Sequence, residues 1–134
     1  MIKKQFTLYL ENKPGRLARL TQMLARDKVN IEGISVSEST DVGLVQIVPS
    51  SAAKAKTALK KAKVPFTLQD VALLPLKNRP GALSRVVTRL AKLGININYV
   101  YATACSCKGE GCDCYAIISA PDLKAVEKAW QSAV

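Results

Sequence analysis

Residues 12–20 read NKPGRLARL, and residues 78–86, 66 positions further along the chain, read NRPGALSRV. The same offset holds at a second place, where Asn30-Ile31 recurs as Asn96-Ile97. The two halves of the chain are therefore copies of one supersecondary unit. Units of this kind generally bury their hydrophobic faces against one another. The repeat is therefore the strongest guide to the fold.

The first copy shows alternating and helical periodicities in a fixed order. Alternation of apolar and polar residues up to Glu11 predicts a strand that Pro14-Gly15 ends. Leucines at positions 17, 20 and 24 then form one apolar helical stripe. The predicted elements are a strand over 3–11, a helix over 15–27, a hairpin of strands over 30–39 and 42–48, a helix starting at residues 49–51 and a short strand over 66–69.

The second copy repeats this order but stops early. Its predicted elements are a strand over 71–76, a helix on Leu83, Val86 and Leu90, a strand from Ile95, a strand over 115–119 and a helix on Leu123, Val126 and Trp130. No residues remain after this helix for a final strand, so we expect that strand to be missing or to come from another part of the chain. The sheet edge that it would leave open needs to be covered.

We therefore predict an α+β fold of two ferredoxin-like βαββαβ repeats side by side, with helices on one face of antiparallel sheets. Residues 1–69 form repeat one and residues 70–134 form repeat two.

The composition narrows the class of protein. The 134 residues are 49% hydrophobic, carry a net charge of +10 and include no histidine. The basic residues are spread over both repeats, and a group from Lys54 to Lys63 has the pattern of a solvated helix face. There is no leader-like or membrane-spanning apolar segment, so we expect a cytoplasmic protein with no membrane contact. Paired carboxylates and nucleophile–base pairs are absent, which argues against an enzyme.

The repeated loop lies where a strand ends and a helix begins. The first N–H groups of a helix have no partner inside it, and the positive end of the helix dipole lies there, so anions are favoured. Gly15 and Gly81 allow a ligand to approach the backbone, and the amides of Asn12 and Asn78 can both donate and accept. Turn chemistry alone would explain one such loop. Two copies at equivalent positions favour a binding site.

The sequence resembles the ACT domain in tandem, on the pattern of a strand, Asn-x-Pro-Gly-x-Leu, a helix and a strand beginning with Asn-Ile. The resemblance covers nearly the whole chain. It implies a regulatory, allosteric module that senses a free amino acid held between paired domains. The residues that would line one site are Asn12, Lys13, Pro14, Gly15, Arg16, Leu17, Asn30 and Ile31. Those that would line its copy are Asn78, Arg79, Pro80, Gly81, Ala82, Leu83, Asn96 and Ile97.

The two copies differ in ways that allow different ligands. The turn before the second strand is Leu93-Gly94-Ile95 in one copy and Asp27-Lys28-Val29 in the other. Since both copies are accounted for without an enzyme domain, the resemblance implies a stand-alone sensor that acts through a regulated enzyme or regulator, or by forming a homodimer.

All four cysteines, which are Cys105, Cys107, Cys112 and Cys114, lie in a hairpin insertion of the second copy. With 108–111 as the turn, the spacing places the four thiols on one face of the hairpin. They could hold zinc or an iron–sulfur centre, form cross-strand disulfides or stay free. The usual zinc spacing is Cys-x-x-Cys, which this hairpin lacks.

Two other functions stay open from sequence. One is a metal-binding or redox-sensing protein built on the cysteine hairpin. The other is an RNA-binding module, which the charge permits. Recognition sheets for RNA expose aromatic residues on their central strands, and only Tyr115 meets that description here. The sequence therefore disfavours nucleic acid as a partner.

Overall fold

The computed structural model describes residues 1–38, 41–103 and 113–133. Its helices and strands follow the order β1 (Ile2–Glu11), α1 (Arg16–Arg26), β2 (Ile31–Glu38), β3 (Val42–Pro49), α2 (Ala52–Lys61), β4 (Thr67–Lys77), α3 (Ala82–Lys92), β5 (Tyr99–Ala102), β6 (Asp113–Ser119) and α4 (Leu123–Ala133). The chain divides into two compact units. The N-terminal unit is Lys4–Gln69, and the C-terminal unit is Asp70–Val134 together with Met1–Lys3.

The N-terminal unit is an antiparallel sheet covered by two helices. Strand β3 lies between β2 and β1, and both pairings are antiparallel. Phe6 and Leu8 of β1 belong to a buried cluster with side chains from both α1 and α2. Because one cluster contains residues from the sheet and both helices, α1 and α2 pack on the same face of this sheet.

The C-terminal unit has the same plan. Strand β6 lies between β5 and β4, again with antiparallel pairing. Its core contains Leu74 of β4, Leu90 of α3 and Trp130 of α4. Trp130 is 1% exposed, and its indole N–H donates to the Pro75 carbonyl at 2.7 Å. The predicted α+β fold with two βαββαβ units is confirmed.

Strands β1 and β4 each begin in one unit and continue into the other, so that the start of each supplies the last strand of a unit. Met1–Lys3, which includes the start of β1, belongs to the C-terminal unit. There the Leu73 N–H donates to the Met1 carbonyl at 2.7 Å. In the N-terminal unit, Gln69 near the start of β4 accepts a hydrogen bond from the Gln5 side chain. The strand that the second copy lacks in sequence order is therefore borrowed from the N-terminus.

Two element boundaries differ from the sequence predictions. The strands predicted over 66–69 and 71–76 are one strand, β4, which begins at Thr67 and continues through Asp70. The strand predicted from Ile95 begins at Tyr99. Asparagines precede it, and asparagine is disfavoured in strands. None of the helices in the described ranges has the length and hydropathy that crossing a bilayer requires.

The turn after the first helix of each unit is the same despite its different sequence. Lys28 has a φ of 57°, and its counterpart Gly94 has a φ of 71°. The next residue in each case, Val29 or Ile95, donates its N–H back to a leucine carbonyl of the helix. Lys28 therefore occupies a left-handed conformation in which a Cβ is unfavourable.

We expect Lys28→Gly to stabilise the protein by about 1 kcal/mol, because glycine removes the left-handed backbone penalty. Urea denaturation followed by circular dichroism measures the change. Lys28→Ala is the matched control, since it removes the charge and the long side chain but keeps the Cβ. An equal gain in both variants would show that the side chain, and not the backbone, is responsible.

Candidate ligand-binding loops

The two repeated loops have the same backbone geometry. Gly15 caps the start of α1 with φ 87° and ψ −11°, and Gly81 caps the start of α3 with φ 84° and ψ −9°. Both values lie in the left-handed region that glycine adopts without a steric penalty. The glycines are therefore required by the turn that directs the chain from strand to helix.

Both helices begin without a side-chain cap. The Arg16 N–H reaches the Lys13 carbonyl at 3.3 Å, and the Arg19 N–H reaches the Gly15 carbonyl at 3.0 Å. The N–H groups between them, on Leu17 and Ala18, find no acceptor among the described residues.

The second loop repeats these distances. The Ala82 N–H is 3.3 Å from the Arg79 carbonyl, and the Arg85 N–H is 3.0 Å from the Gly81 carbonyl. The backbone N–H groups of Leu83 and Ser84 are likewise without an acceptor in the part of the chain that is described. Each loop thus offers two adjacent backbone donors at the positive end of a helix dipole, an arrangement suited to a carboxylate.

Space is open in front of both glycines. A Cβ placed on Gly15 or Gly81 would meet no described atom within 4 Å. Beside the free donors lies a partly exposed leucine, Leu17 at 39% and Leu83 at 43%. Each loop therefore combines backbone donors that suit a carboxylate with an apolar surface that suits the carbon side chain of an amino acid.

The electrostatics of the loops differ. In the first loop, Glu11 lies 3.0 Å from the Lys13 ammonium and 3.6 Å from the Arg16 guanidinium. The hydrogen bond and charge of Lys13, and then the charge of Arg16, lower the pKa of the exposed Glu11 carboxyl. The position equivalent to Glu11 in the second loop is Lys77. The second loop therefore has a basic residue where the first loop has a carboxylate.

We expect the Glu11 carboxyl to titrate below its ordinary pKa, since its charged form is favoured by Lys13. A group with a lowered folded-state pKa adds stability above its unfolded pKa, and this stability is lost as the pH falls through the folded-state pKa. A carbon-detected NMR titration measures the midpoint. Lys13→Ala should raise it, and Arg19→Ala should leave it unchanged. Equal midpoints in the wild type and Lys13→Ala would contradict the ion pair.

The asparagines at the loop starts, Asn12 and Asn78, are exposed. The backbone N–H of Asn12 donates to the Asp41 carbonyl at 3.0 Å, which ties the first loop to the start of β3. Lys13, Pro14, Arg79 and Pro80 are exposed as well, while Arg16 and Ala82 are half-buried. The residues predicted within each loop are thus brought together at one helix start.

The structure does not bring Asn30-Ile31 to the loop of the same unit. Glu11, just before the loop, pairs with Val42 at the start of β3, whereas Ile31 pairs with Pro49 at its end. The eight residues of β3 span about 25 Å at about 3.3 Å per residue. Asn30-Ile31 and the loop therefore lie at opposite ends of the sheet.

The C-terminal unit has the same separation. Lys77, just before its loop, pairs with Asp113 at the start of β6, while the Asn98 N–H donates to Ser119 at the end of that strand. Asn96 and Ile97 precede β5 at that far end. Two strands joined by a crossover helix run parallel, so the second strand starts at the end of the sheet opposite to the loop that follows the first strand. The strand–helix–strand order of the sequence could therefore have predicted this separation.

A pair of tyrosines on β5 has no counterpart in the first copy. The rings of Tyr99 and Tyr101 are nearly parallel, with centroids 6.4 Å apart. Burial, and then the proximity of Tyr99, raises the pKa of the Tyr101 hydroxyl well above its ordinary value. At the equivalent position on β2, the first copy has Ser35. Tyr101 therefore stays protonated to a higher pH than an ordinary tyrosine.

Of the cysteines proposed as metal ligands, Cys105, Cys107 and Cys112 lie outside the described residues. Cys114 is 8% exposed on β6 and is disulfide-bonded. In the described ranges, no group of three or more histidine, cysteine or acidic side chains could hold a metal ion. The state of Cys114 corresponds to the disulfide alternative of the sequence analysis.

Several solved structures share this fold. A protein from Bacteroides thetaiotaomicron is 29% identical, with a TM-score of 0.86 over 98% of this chain and 88% of its own. The regulatory subunits of aspartate kinase from Thermus thermophilus and Thermus flavus are 16% and 18% identical, with TM-scores of 0.69 and 0.63 over 98% of this chain and 92% of theirs. At such identities the Thermus structures establish the fold alone.

The search of curated proteins gave no match. The profile of the family described as "ACT domain pair", in contrast, matches residues 1–112. This span contains both repeated loops and both of the Asn-Ile strand starts. Together with the two βαββαβ units, it shows that the chain belongs to the ACT domain pair family.

Proposed function

We propose that this protein is a regulatory sensor that binds a free amino acid at the helix starts of its ACT units. The observation that carries the proposal is the pair of unmatched N–H groups behind a left-handed glycine, present with the same geometry in both units. The carboxylate would accept from these two donors. The exposed leucine beside them would contact the carbon chain.

The C-terminal loop is proposed as the stronger site. In the N-terminal loop, the Glu11 carboxylate already pairs with Lys13 and Arg16 and would repel a second carboxylate. At the equivalent place the C-terminal loop has Lys77. Glu11→Gln should therefore raise the affinity of the N-terminal loop and leave that of the C-terminal loop unchanged.

The remainder of each site is proposed to come from a second copy of the chain. One unit cannot bring its loop and its Asn-Ile pair to the same small ligand, because they lie at opposite ends of the sheet. Its family resemblance implies that the ligand is held between paired domains. In a homodimer, the Asn-Ile strand start of one copy would face the loop of the other. Ligand binding would then change the dimer and so act on a partner enzyme or regulator.

The test is a thermal-shift screen of the twenty amino acids, followed by calorimetry of those that stabilise the protein. A ligand at 100 times its Kd adds about 2.7 kcal/mol to stability, which a melting experiment detects readily. We expect one amino acid, or a few with related side chains, to stabilise. Sedimentation with and without that ligand should show a dimer that the ligand strengthens. No stabilisation by any of the twenty would reject the sensor function.

A further inference from the structure

The two helices of the N-terminal unit carry charge of one sign only. Helix α1 reads RLARLTQMLAR and helix α2 reads AAKAKTALKK, with no aspartate or glutamate in either. Their basic residues are Arg16, Arg19, Arg26, Lys54, Lys56, Lys60 and Lys61. In the C-terminal unit, by comparison, helix α3 has three basic and no acidic residues, and helix α4 contains Glu127 as well as lysines.

Most of these cations point away from the sheet. Apart from Leu17, which belongs to the candidate loop, the exposed residues of α1 are Ala18, Arg19, Gln22, Ala25 and Arg26. Those of α2 are Ala53, Lys54, Thr57, Lys60 and Lys61. The two sets have the same spacing along their helices. The opposite sides of both helices are buried in the core of the unit. These two sets form an outer surface that we call the basic helix face.

Five cations of the basic helix face are not neutralised by the rest of the described chain. No carboxylate there pairs with the side chains of Arg19, Arg26, Lys54, Lys60 or Lys61. A surface that serves only solubility usually interleaves both signs of charge. The concentration of unpaired positive charge on one face indicates an anionic partner.

The residues between the cations restrict the class of partner. They are alanine, threonine and glutamine. Protein interfaces are enriched in aromatic residues and depleted in lysine, and membrane-surface helices need large apolar residues. Single-stranded nucleic acids are held by stacking on aromatic side chains. A duplex needs none of these, because phosphate contacts alone supply its sequence-independent binding.

We propose that the basic helix face binds the sugar–phosphate backbone of a double-stranded nucleic acid without reading its sequence. A helix of the length of α2 extends about 15 Å, and a duplex presents one negative charge per about 1.7 Å of its axis, so several phosphates lie within reach. The sequence argument against nucleic acid concerned aromatic residues on a sheet, which phosphate contacts do not require. The proposal does not depend on amino-acid binding at the loops.

The test measures the affinity of the full chain for a fluorescent 20-base-pair DNA duplex by anisotropy at several salt concentrations. Parallel titrations use duplex RNA of the same sequence, the single strands and polyglutamate. We expect both duplexes to bind more tightly than polyglutamate and the single strands. The triple variant Lys54→Gln, Lys60→Gln and Lys61→Gln should flatten the plot of log K against log salt by about one unit per lysine that contacts a phosphate.

The matched control is Arg85→Gln, Arg89→Gln and Lys92→Gln, which removes the same charge from exposed positions of α3. It should leave most of the slope intact, and circular dichroism should show both variants folded. If both triple variants lost the same amount of slope, the binding would depend on net charge alone and the proposal would be overturned. Absence of duplex binding at low salt would also overturn it. Binding of polyglutamate as tightly as of the duplexes would overturn it in favour of an acidic protein partner.

Discussion

Gly81→Ala should weaken amino-acid binding at the C-terminal loop at least tenfold, which corresponds to about 1.4 kcal/mol or more. Two effects combine. A Cβ at φ 84° costs about 1 to 2 kcal/mol of backbone strain, which would tilt the free N–H groups away from the ligand. The added methyl group would also occupy the open space through which the carboxylate approaches. Calorimetry with the amino acid found in the screen measures the loss.

Gly94→Ala is the matched control for this experiment. Gly94 also has a positive φ, 71°, and open space within the described structure where its Cβ would lie. It follows the C-terminal end of α3, whereas Gly81 precedes the N-terminal end. Both variants should lose similar stability, and only Gly81→Ala should lose affinity. If the two lost affinity equally, the effect of Gly81 would be global strain and not a lost binding surface.

Trp130→Ala should destabilise the C-terminal unit by about 3 to 5 kcal/mol, the usual cost of removing a buried aromatic side chain. Trp130 is 1% exposed and packs with residues of β4, β6 and α3. Its loss would leave a cavity and would also deprive the Pro75 carbonyl of its 2.7 Å hydrogen bond. Urea denaturation of the variant measures the change in the free energy of unfolding.

Trp130→Phe separates packing from hydrogen bonding. It keeps an aromatic ring in the core but leaves the Pro75 carbonyl without its donor, so a cost of about 1 to 3 kcal/mol is expected. A loss below 1 kcal/mol for Trp130→Ala would contradict the central place of this side chain in the core.

The periodicity of the sequence predicted the order of elements correctly because the buried residues are local and regular. Leu20 and Leu24 lie on one stripe of α1, and Phe6 and Leu8, two residues apart on β1, belong to the same buried cluster. The alternation did not predict that Gln5 and Thr7 on the other face of β1 are buried as well. The helix start at Ser51 was likewise predictable, since its hydroxyl accepts the Lys54 N–H at 3.2 Å. Features of this kind depend on residues only a few positions apart in the chain, so the sequence is sufficient to predict them.

Long-range placement was harder to predict. The sequence left open whether the second copy lacks its last strand. The structure assigns that strand to the N-terminus, because Met1–Lys3 belongs to the C-terminal unit and the Leu73 N–H donates to the Met1 carbonyl. Pairing between segments some 70 residues apart leaves no periodic signal. The pairing of Glu11 with two cations was also missed, because neither the sequence order nor the repeat distinguishes a paired carboxylate from a solvated one.

The most direct test of carboxylate binding at the helix starts is an NMR titration of the backbone amides. Each amino acid selected by the screen is compared with its carboxamide, which has the same side chain but no carboxylate. We predict that the amides of Leu83 and Ser84 shift most, followed by those of Leu17 and Ala18, and that the carboxamide produces no such shifts. Equal binding of the carboxamide, or shifts confined to other parts of the chain, would contradict the proposed site.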